Sequence, residues 1–310
     1  MILFLSDLHL GRGTPGASRA AERDVCALLD AHAADLDALV LVGDLFDAYM
    51  EYRHLVPKGF VRLQGRLAAL VDAGVPVTYV VGNRDPWHLD HFADEVGVRL
   101  VRDHVVATVH VPASDGGERD EMVPWRVYIA HGDGRIAHDR LYNRIRPLMH
   151  HPAVARLYRM LLPGDTGYAL ARWTGRRAAH PLGRDRTGPD LPAVTALRRF
   201  ARQTLAATLS QGAPDLAPDL APDLVVCGHV HLGECTTWNE GTYLNPGYWF
   251  GHRTFGRLDA SGPALLHWDG TAAYPCRVRA EGHAFVIERT AAATLADHEA
   301  AAAPSGTVSA

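Results

Sequence analysis

The feature that most constrains the fold of this chain is an alternation of short apolar runs and amphipathic segments near its beginning. Residues 2–5, 38–42 and 76–81 are apolar runs of strand length. Between them, a segment from about residue 18 and a segment over 60–71 carry apolar residues at helical spacing, and Gly74 with Pro76 ends the second. This order predicts βαβ units with right-handed crossovers, and therefore a layered α/β core.

The rest of the chain divides into further strands and a helical stretch. Residues 98–101, 105–110 and 126–130 have strand character, and 114–121 is a polar loop. Few β signals occur over 135–210, which predicts a helical cap inserted into a core of residues 1–134 and 211–289. The repeated Ala-Pro-Asp-Leu of 213–224 is typical of a linker, and short antiparallel strands are predicted after it. We expect the alanine-rich residues 290–310 to be a disordered tail.

Composition excludes several classes of protein. The 310 residues are 47% hydrophobic, which is enough for a sizeable core, yet no apolar run reaches the length of a transmembrane helix. The first residues lack the basic region of a signal peptide. A net charge of −4 argues against a general nucleic-acid binder. The four cysteines have no CxxC spacing, so we expect reduced thiols and a cytoplasmic protein.

Five polar blocks follow predicted strands and contain most of the residues that can perform chemistry. They are Ser6-Asp7-Leu8-His9, Gly43-Asp44-Leu45-Phe46-Asp47, Gly82-Asn83-Arg84-Asp85, His131-Gly132-Asp133 and Gly228-His229-Val230-His231. In α/β sheets, ligands bind beyond the carboxyl ends of the strands, so we expect these blocks to meet in one crevice. Their glycines allow the backbone to turn close to a metal or a phosphate.

The side chains of these blocks indicate a metal centre. Carboxylates, imidazoles and an amide suit Mn, Fe or Zn. Seven ligands are too many for one tetrahedral site, but they fit two ions about 3.5–4 Å apart that share a bridging carboxylate. Such a site attracts phosphate and lowers the pKa of water. The candidate metal ligands are Asp7, His9, Asp44, Asn83, His131, His229 and His231.

In this order, Asp-x-His, Gly-Asp, Gly-Asn-x-Asp, His-Gly-Asp and Gly-His-x-His resemble the motifs of the calcineurin-like metallophosphoesterases, over roughly residues 1–260. The resemblance implies a four-layer αββα sandwich and two divalent ions, with Mn²⁺ as the expected metal. It assigns one ion to Asp7, His9, Asp44 and His231. It assigns the other to Asp44, Asn83, His131 and His229, so that Asp44 bridges. Asp44, Arg84 and His229 are the expected catalytic residues.

Arg84 bears on the kind of phosphoester, because most of that family has histidine at this position. Arginine stays protonated near neutral pH and cannot serve as a general acid. A phosphate that leaves from a diphosphate needs no proton, since its second pKa is about 6. Arginine can instead bind diphosphate oxygens through two hydrogen bonds. Arg84 therefore favours cleavage of a diphosphate over hydrolysis of an ester with an alcohol leaving group.

Gly-Asn-Arg-Asp is also similar to the motif of the UDP-2,3-diacylglucosamine diphosphatases of lipid A biosynthesis. Asp139, Tyr142, Arg146, His150 and Pro152 resemble the start of the helical cap in those enzymes. The resemblance implies cleavage of UDP-2,3-diacylglucosamine to UMP and 2,3-diacylglucosamine 1-phosphate. The implied substrate contacts are Asn83, Arg84, Asp139, Tyr142, Arg146 and His229. For Asp139, a carboxylate interacting with a helix dipole is an equally good interpretation.

The predicted cap is basic, with eleven arginines and three acidic residues over 135–186. Val154, Leu157, Tyr158 and Leu161 form an apolar stripe on one of its helices. Basic amphipathic helices bind anionic membranes, so we expect a peripheral protein on the cytoplasmic face of the inner membrane. The alternative is a cap that packs on the core and whose arginines are only solvated.

Other functions fit the same motifs. A phosphodiesterase or a nucleotide diphosphate hydrolase with a soluble substrate would need the same metal ligands. A catalytically inactive scaffold of the same fold is disfavoured, because none of the seven ligand positions is lost. His88, His91 and His252 lie near the motifs and could supply a proton. Their default interpretation is a surface or supporting position.

Overall fold

The computed structural model describes residues 1–112, 122–136, 140–179, 192–207, 221–281 and 284–290. Its strands are β1 (Ile2–Leu5), β2 (Ala38–Val42), β3 (Val77–Val80), β4 (Arg99–Val101), β5 (His104–Pro112), β6 (Met122–Ala130), β7 (Leu224–Cys227), β8 (Glu234–Trp238), β9 (Gly241–Asn245), β10 (Thr254–Asp259), β11 (Gly262–Trp268), β12 (Ala273–Glu281) and β13 (Ala284–Arg289). Its helices are α1 (Pro15–His32), α2 (Val61–Asp72), α3 (His91–Asp94), α4 (Arg140–Met149), α5 (Pro152–Leu161), α6 (Gly164–Ala179), α7 (Pro192–Ala206) and α8 (Trp249–His252).

The first sheet contains the predicted βαβ units. Its eight strands lie in the order β13-β12-β11-β10-β1-β2-β3-β4, and β1 to β4 run parallel. Helix α1 begins at Pro15, earlier than predicted, because the Thr14 hydroxyl accepts a hydrogen bond from the backbone N–H of Ala17. Helices α1 and α2 cover the outer face of this sheet with buried residues such as Leu28 and Leu67.

The second sheet has the order β5-β6-β7-β9-β8. Strand β9 runs parallel to β7, with Leu224 beside Thr242, whereas β8 and β9 form an antiparallel pair. The antiparallel strands predicted after residue 224 are present, and the parallel pairing of β9 with β7 is an addition to them. The reason is that β8 occupies the edge of the sheet, so the chain that returns from it lies between β8 and β7.

The layers follow the order helix, sheet, sheet, helix, which confirms the predicted four-layer sandwich. Phe4, Val42 and Leu244 belong to the core between the two sheets. Helix α7 forms the fourth layer, since its Leu197 and Leu205 pack on the outer face of the second sheet. It falls inside the predicted cap of 135–210, but its apolar side is buried by strands of the core.

Helices α4 to α6 rest on loops of the core. The indole Nε1 of Trp87 donates to the Met149 carbonyl at 2.7 Å, and Arg159 Nε donates to the Glu51 carbonyl at 2.6 Å. The ring of Tyr158 lies 4.7 Å from that of Trp87. These helices therefore lie at the strand ends where the polar blocks occur.

None of the described helices is both long and apolar enough to cross a bilayer. The predictions for 114–121, for most of the 213–224 repeat and for the tail after residue 290 concern segments outside the described residues.

Candidate metal centre

The structure brings the seven predicted ligands together at one edge of the sandwich. Asp7 and His9 follow β1, Asp44 follows β2 and Asn83 follows β3, all in the first sheet. The three remaining ligands extend from the second sheet, with His131 after β6 and His229 and His231 after β7. The Nε2 atoms of His9 and His231 lie 3.0 Å apart across the interface between the sheets. The crevice predicted from the five blocks is confirmed.

Two groups of ligand atoms can be distinguished within the cluster. Asp7, His9 and His231 each place one ligand atom within 4.8 Å of the others, and Asp7, Asp44 and His131 do the same. Asp7 belongs to both groups. The Asp44 carboxylate of the second group also faces the first, with Oδ2 3.7 Å from His9 Nε2 and Oδ1 3.5 Å from His131 Nε2. This is where a bridging carboxylate would lie.

Asn83 joins the second group of ligands. Its side-chain oxygen lies 3.0 Å from His131 Nε2 and 3.0 Å from His229 Nδ1. His131 Nδ1 lies 2.9 Å from the Val42 carbonyl. A hydrogen bond there fixes the ring and leaves Nε2 facing the cluster, as ligating histidines usually require.

The donor set fits divalent cations. Asp7 is fully buried, and its Oδ1 has no hydrogen-bond partner among the described residues. The imidazole nitrogens of His9 and His231 face that oxygen, at 3.4 and 3.2 Å. An unpaired carboxylate oxygen in such surroundings is costly, and a cation among these lone pairs would remove the cost.

The backbone at the ligands is held in an uncommon conformation. The φ angles of five ligands are positive, at 53° for Asp7, 42° for His9, 51° for Asp44, 70° for His229 and 60° for His231. Each such residue costs of order 1–2 kcal/mol, and strain of this kind concentrates at functional sites.

Two glycines of the blocks are required by close approach. A Cβ at Gly82 would overlap Asp44 Oδ1, and a Cβ at Gly228 would overlap the Ser6 hydroxyl. Glycine at these two positions therefore leaves space for the side chains of Asp44, Ser6 and Asp7.

The buried charges shift the pKa values of the ligands. Burial disfavours a charged His131, but the negative charges of Asp44 and Asp7 outweigh it and raise the pKa of His131 to about 9. Burial raises the pKa of Asp44 to about 6, and burial together with the charge of His131 lowers the pKa of His229 to about 3. Because ligands bind metals in deprotonated form, cation binding would displace a proton from His131 and become tighter as the pH rises.

Asp85 supports the cluster, although sequence reasoning assigned it no role. Its Oδ1 accepts the backbone N–H of Gly82 at 2.9 Å, and its Oδ2 accepts that of Phe46 at 3.1 Å and the hydroxyl of Tyr79. Asp85 thus fixes the loops that carry Asp44 and Asn83. Its position in the third block, Gly82-Asn83-Arg84-Asp85, was the available signal.

Glu51 is a second supporting residue, and no motif marks it. The buried carboxylate accepts the backbone N–H groups of Leu89, Asp90 and His91 at 2.8, 2.9 and 2.9 Å. It therefore orders the segment that follows the Gly-Asn-Arg-Asp block and contacts the cap.

Two of the predicted substrate contacts, Arg84 and Arg146, lie next to the cluster. The backbone N–H of Arg84 donates to Asp44 Oδ1 at 2.8 Å, which places this residue beside the ligands. Arg146 Nε donates to Asp133 Oδ2 at 2.6 Å and so joins α4 to the His131 block. Asp139 and the side chain of Tyr142 lie outside the described residues.

His88, His91 and His252 lie around the site rather than in it. His88 is 2% exposed and stacks on Tyr49 at 4.2 Å, so a surface position is wrong for it. The rings of Tyr49, Tyr79 and Phe92 bury it. His91 Nε2 lies 3.1 Å from the Gln64 side-chain oxygen, and His252 meets Tyr248 edge-on at 5.6 Å.

Comparisons with known proteins agree with this geometry. The family model described as calcineurin-like phosphoesterase matches residues 1–233. The chain is 32% identical over 174 residues to a UDP-2,3-diacylglucosamine hydrolase of Porphyromonas gingivalis, covering 56% of this chain and 58% of that protein. It is 31% identical over 156 residues to a protein of the same name from Klebsiella pneumoniae, covering 50% and 58%. These alignments thus span less than two thirds of the relatives.

Among solved structures, the chain is similar to the phosphoesterase YfcE of E. coli, with 16% identity and a TM-score of 0.38. That alignment covers 88% of this chain and 95% of YfcE.

Proposed function

The chain belongs to the calcineurin-like phosphoesterase family, and from this premise we propose that it is a metal-dependent hydrolase of UDP-2,3-diacylglucosamine. The oxygen of a water molecule forms a bond to one phosphorus of the diphosphate. The bond from that phosphorus to the bridging oxygen breaks, and this oxygen leaves on the other phosphoryl group. The products are UMP and 2,3-diacylglucosamine 1-phosphate. The names of the relatives from Porphyromonas gingivalis and Klebsiella pneumoniae support this substrate.

The metal ligands supply the first part of the mechanism. The seven clustered residues would hold two divalent ions, for which Mn²⁺ is our proposal, with Asp44 shared between them. Ions of this kind provide Lewis acidity and lower the pKa of water. The ligands themselves orient the reacting phosphoryl group by fixing where its oxygens can lie.

Arg84 is the single observation that carries the choice of a diphosphate. Its backbone is bound to Asp44 and its neighbour Asn83 contacts His131 and His229, so its side chain starts at the cluster. The guanidinium stays protonated and would bind diphosphate oxygens rather than donate a proton. A leaving phosphate does not need that proton, because its second pKa is about 6.

The proposal extends to the membrane surface. Helices α5 and α6 expose apolar side chains beside the site, with Leu157 55%, Met160 74% and Trp173 50% exposed. The exposed Arg156 of α5 would favour an anionic surface, whereas Arg159 of the same helix binds carbonyls of the core. We therefore propose that the cap contacts the substrate's acyl chains and the cytoplasmic face of the inner membrane.

Product analysis on UDP-2,3-diacylglucosamine with Mn²⁺ tests the proposal, and UMP is the expected product. Asp44→Ala is expected to abolish turnover. Arg84→Ala is expected to keep the metal content and to lower kcat/KM for the diphosphate by roughly tenfold to a hundredfold, the range for a lost charged hydrogen bond. Faster turnover of water-soluble UDP-sugars or nucleotide diesters would refute the lipid substrate. Absence of bound metal and of any hydrolysis would indicate an inactive scaffold.

A further inference from the structure

A second arginine, Arg12, lies beside the other group of metal ligands. Its Nη1 donates to the hydroxyl of Tyr248 at 3.1 Å. The Tyr248 ring is stacked on His231, with centroids 4.5 Å apart and planes 5° apart, and meets His9 edge-on at 5.7 Å. Tyr248 therefore connects the Arg12 guanidinium to the two imidazoles of the first ligand group.

The Arg12 side chain is a partly buried cation whose charge acts on the nearby Asp47 carboxylate without forming a close ion pair with it. Arg12 is neither fully exposed nor fully buried. No ion pair within 4.0 Å joins it to an acidic group of the described segments, whereas Arg146 and Arg198 in similar environments bind carboxylates at 2.6 and 2.8 Å. A partly desolvated guanidinium beside a phosphate-binding cluster is suited to bind an anion.

The backbone holds Arg12 in place before any ligand arrives. Its own N–H donates to the His9 carbonyl at 3.0 Å, and the N–H of Gly11 donates to the Ser18 hydroxyl at 2.8 Å. Gly11 has φ of 98°, which favours glycine at the turn. The backbone would lose little freedom on binding, and the hydrogen bond to Tyr248 holds the end of the side chain, which together increase the affinity that one contact can give.

We propose that Arg12, oriented by Tyr248, binds one phosphoryl group of a diphosphate substrate while Arg84 binds the other. The inference rests on the proposed function, because it assumes that a diphosphate lies across the two ligand groups. The planar guanidinium matches the paired oxygens of a phosphoryl group. Arg12 is then a determinant of specificity for diphosphates over substrates with one phosphorus.

The test compares two substrates in the presence of Mn²⁺, UDP-2,3-diacylglucosamine and bis(p-nitrophenyl) phosphate, which has a single phosphorus. Arg12→Gln is expected to lower the ratio of kcat/KM for the diphosphate to kcat/KM for the diester by about tenfold or more. Tyr248→Phe keeps the ring on His231 and removes the hydroxyl, so a smaller fall in the same ratio is expected. The control is Arg66→Gln, since Arg66 pairs with Asp30 away from the cluster and the ratio should not change.

The outcomes separate this inference from the proposed function. An unchanged ratio in Arg12→Gln, or an equal loss on both substrates with reduced metal content, would overturn the role of Arg12. If the parent protein hydrolyses the diester but not the lipid substrate, the proposed function fails. The role of Arg12 is then tested by measuring how strongly UDP and UMP inhibit hydrolysis of the diester. Arg12→Gln should then weaken inhibition by UDP about tenfold more than inhibition by UMP, and equal weakening would refute the assignment.

Discussion

Replacement of Asp133 by Asn is expected to lower stability, because it removes a buried carboxylate that interacts with His131 and Arg146. The Asp133 side chain is 2% exposed and binds Arg146 of α4. Burial alone would raise the pKa of Asp133, but the charges of His131 and Arg146 lower it from 3.8 to about 2. A fall of that size corresponds to roughly 2–3 kcal/mol of stability at neutral pH.

The sign of the pH dependence follows from the same values. The carboxyl is more acidic in the folded than in the unfolded protein, so its contribution is complete above its unfolded pKa of 3.8 and disappears as the pH falls through about 2. Urea unfolding of chelator-treated protein measures the contribution of Asp133 to the free energy of unfolding without that of bound cations. At pH 7 we expect Asp133→Asn to lower the free energy of unfolding by about 2 kcal/mol, and at pH 3 by roughly half of that.

Asp103→Asn is the matched control for this prediction. The Asp103 side chain is 48% exposed and also contacts Arg146, at 3.4 Å. Exposed pairs contribute little, so a loss below about 1 kcal/mol is expected. Unfolding free energies of parent and Asp133→Asn that agree within about 0.5 kcal/mol at pH 7 would refute the reasoning, as would a difference that persists unchanged at pH 3.

Three further substitutions have defined outcomes. Gly228→Ala places a Cβ against the Ser6 hydroxyl, so metal analysis should show reduced Mn²⁺ content while circular dichroism stays unchanged. Gly65→Ala lies within α2 with no atom near the added Cβ, so urea unfolding should show a gain of about 0.4–1 kcal/mol. Arg159→Gln removes the donors to the Glu51 and Trp87 carbonyls, so limited proteolysis should cleave the cap faster than in the parent.

The clustering of the candidate ligands was predictable because each one is encoded locally. Asp7, Asp44, Asn83 and His131 lie within three residues of the end of an apolar strand, and parallel strands bring such positions to one edge. The layered core was predictable for a similar reason, since periodicity within a segment predicts its type. Neither step needs knowledge of distant contacts.

The remaining features depend on contacts between distant segments. Helix α7 has the same kind of amphipathic pattern as the cap helices, and only its packing on β7 and β9 makes it a layer of the sandwich. Glu51 binds backbone groups about forty residues away, which no sequence pattern reveals. Tyr248 stacks on His231 because β7 and β9 are neighbours in the second sheet, and the two residues lie in the segments that follow these strands.

The division of the ligands between the two sheets has a mechanical consequence. Asp7, Asp44 and Asn83 follow strands of one sheet, and His131 and His229 follow strands of the other, so a shear of one sheet across its neighbour would alter the separations between the two halves. Natural selection for turnover would therefore act on the stiffness of the contact layer as well as on the ligands. Substitutions in that layer, far from any cation, should weaken metal affinity before they unfold the protein.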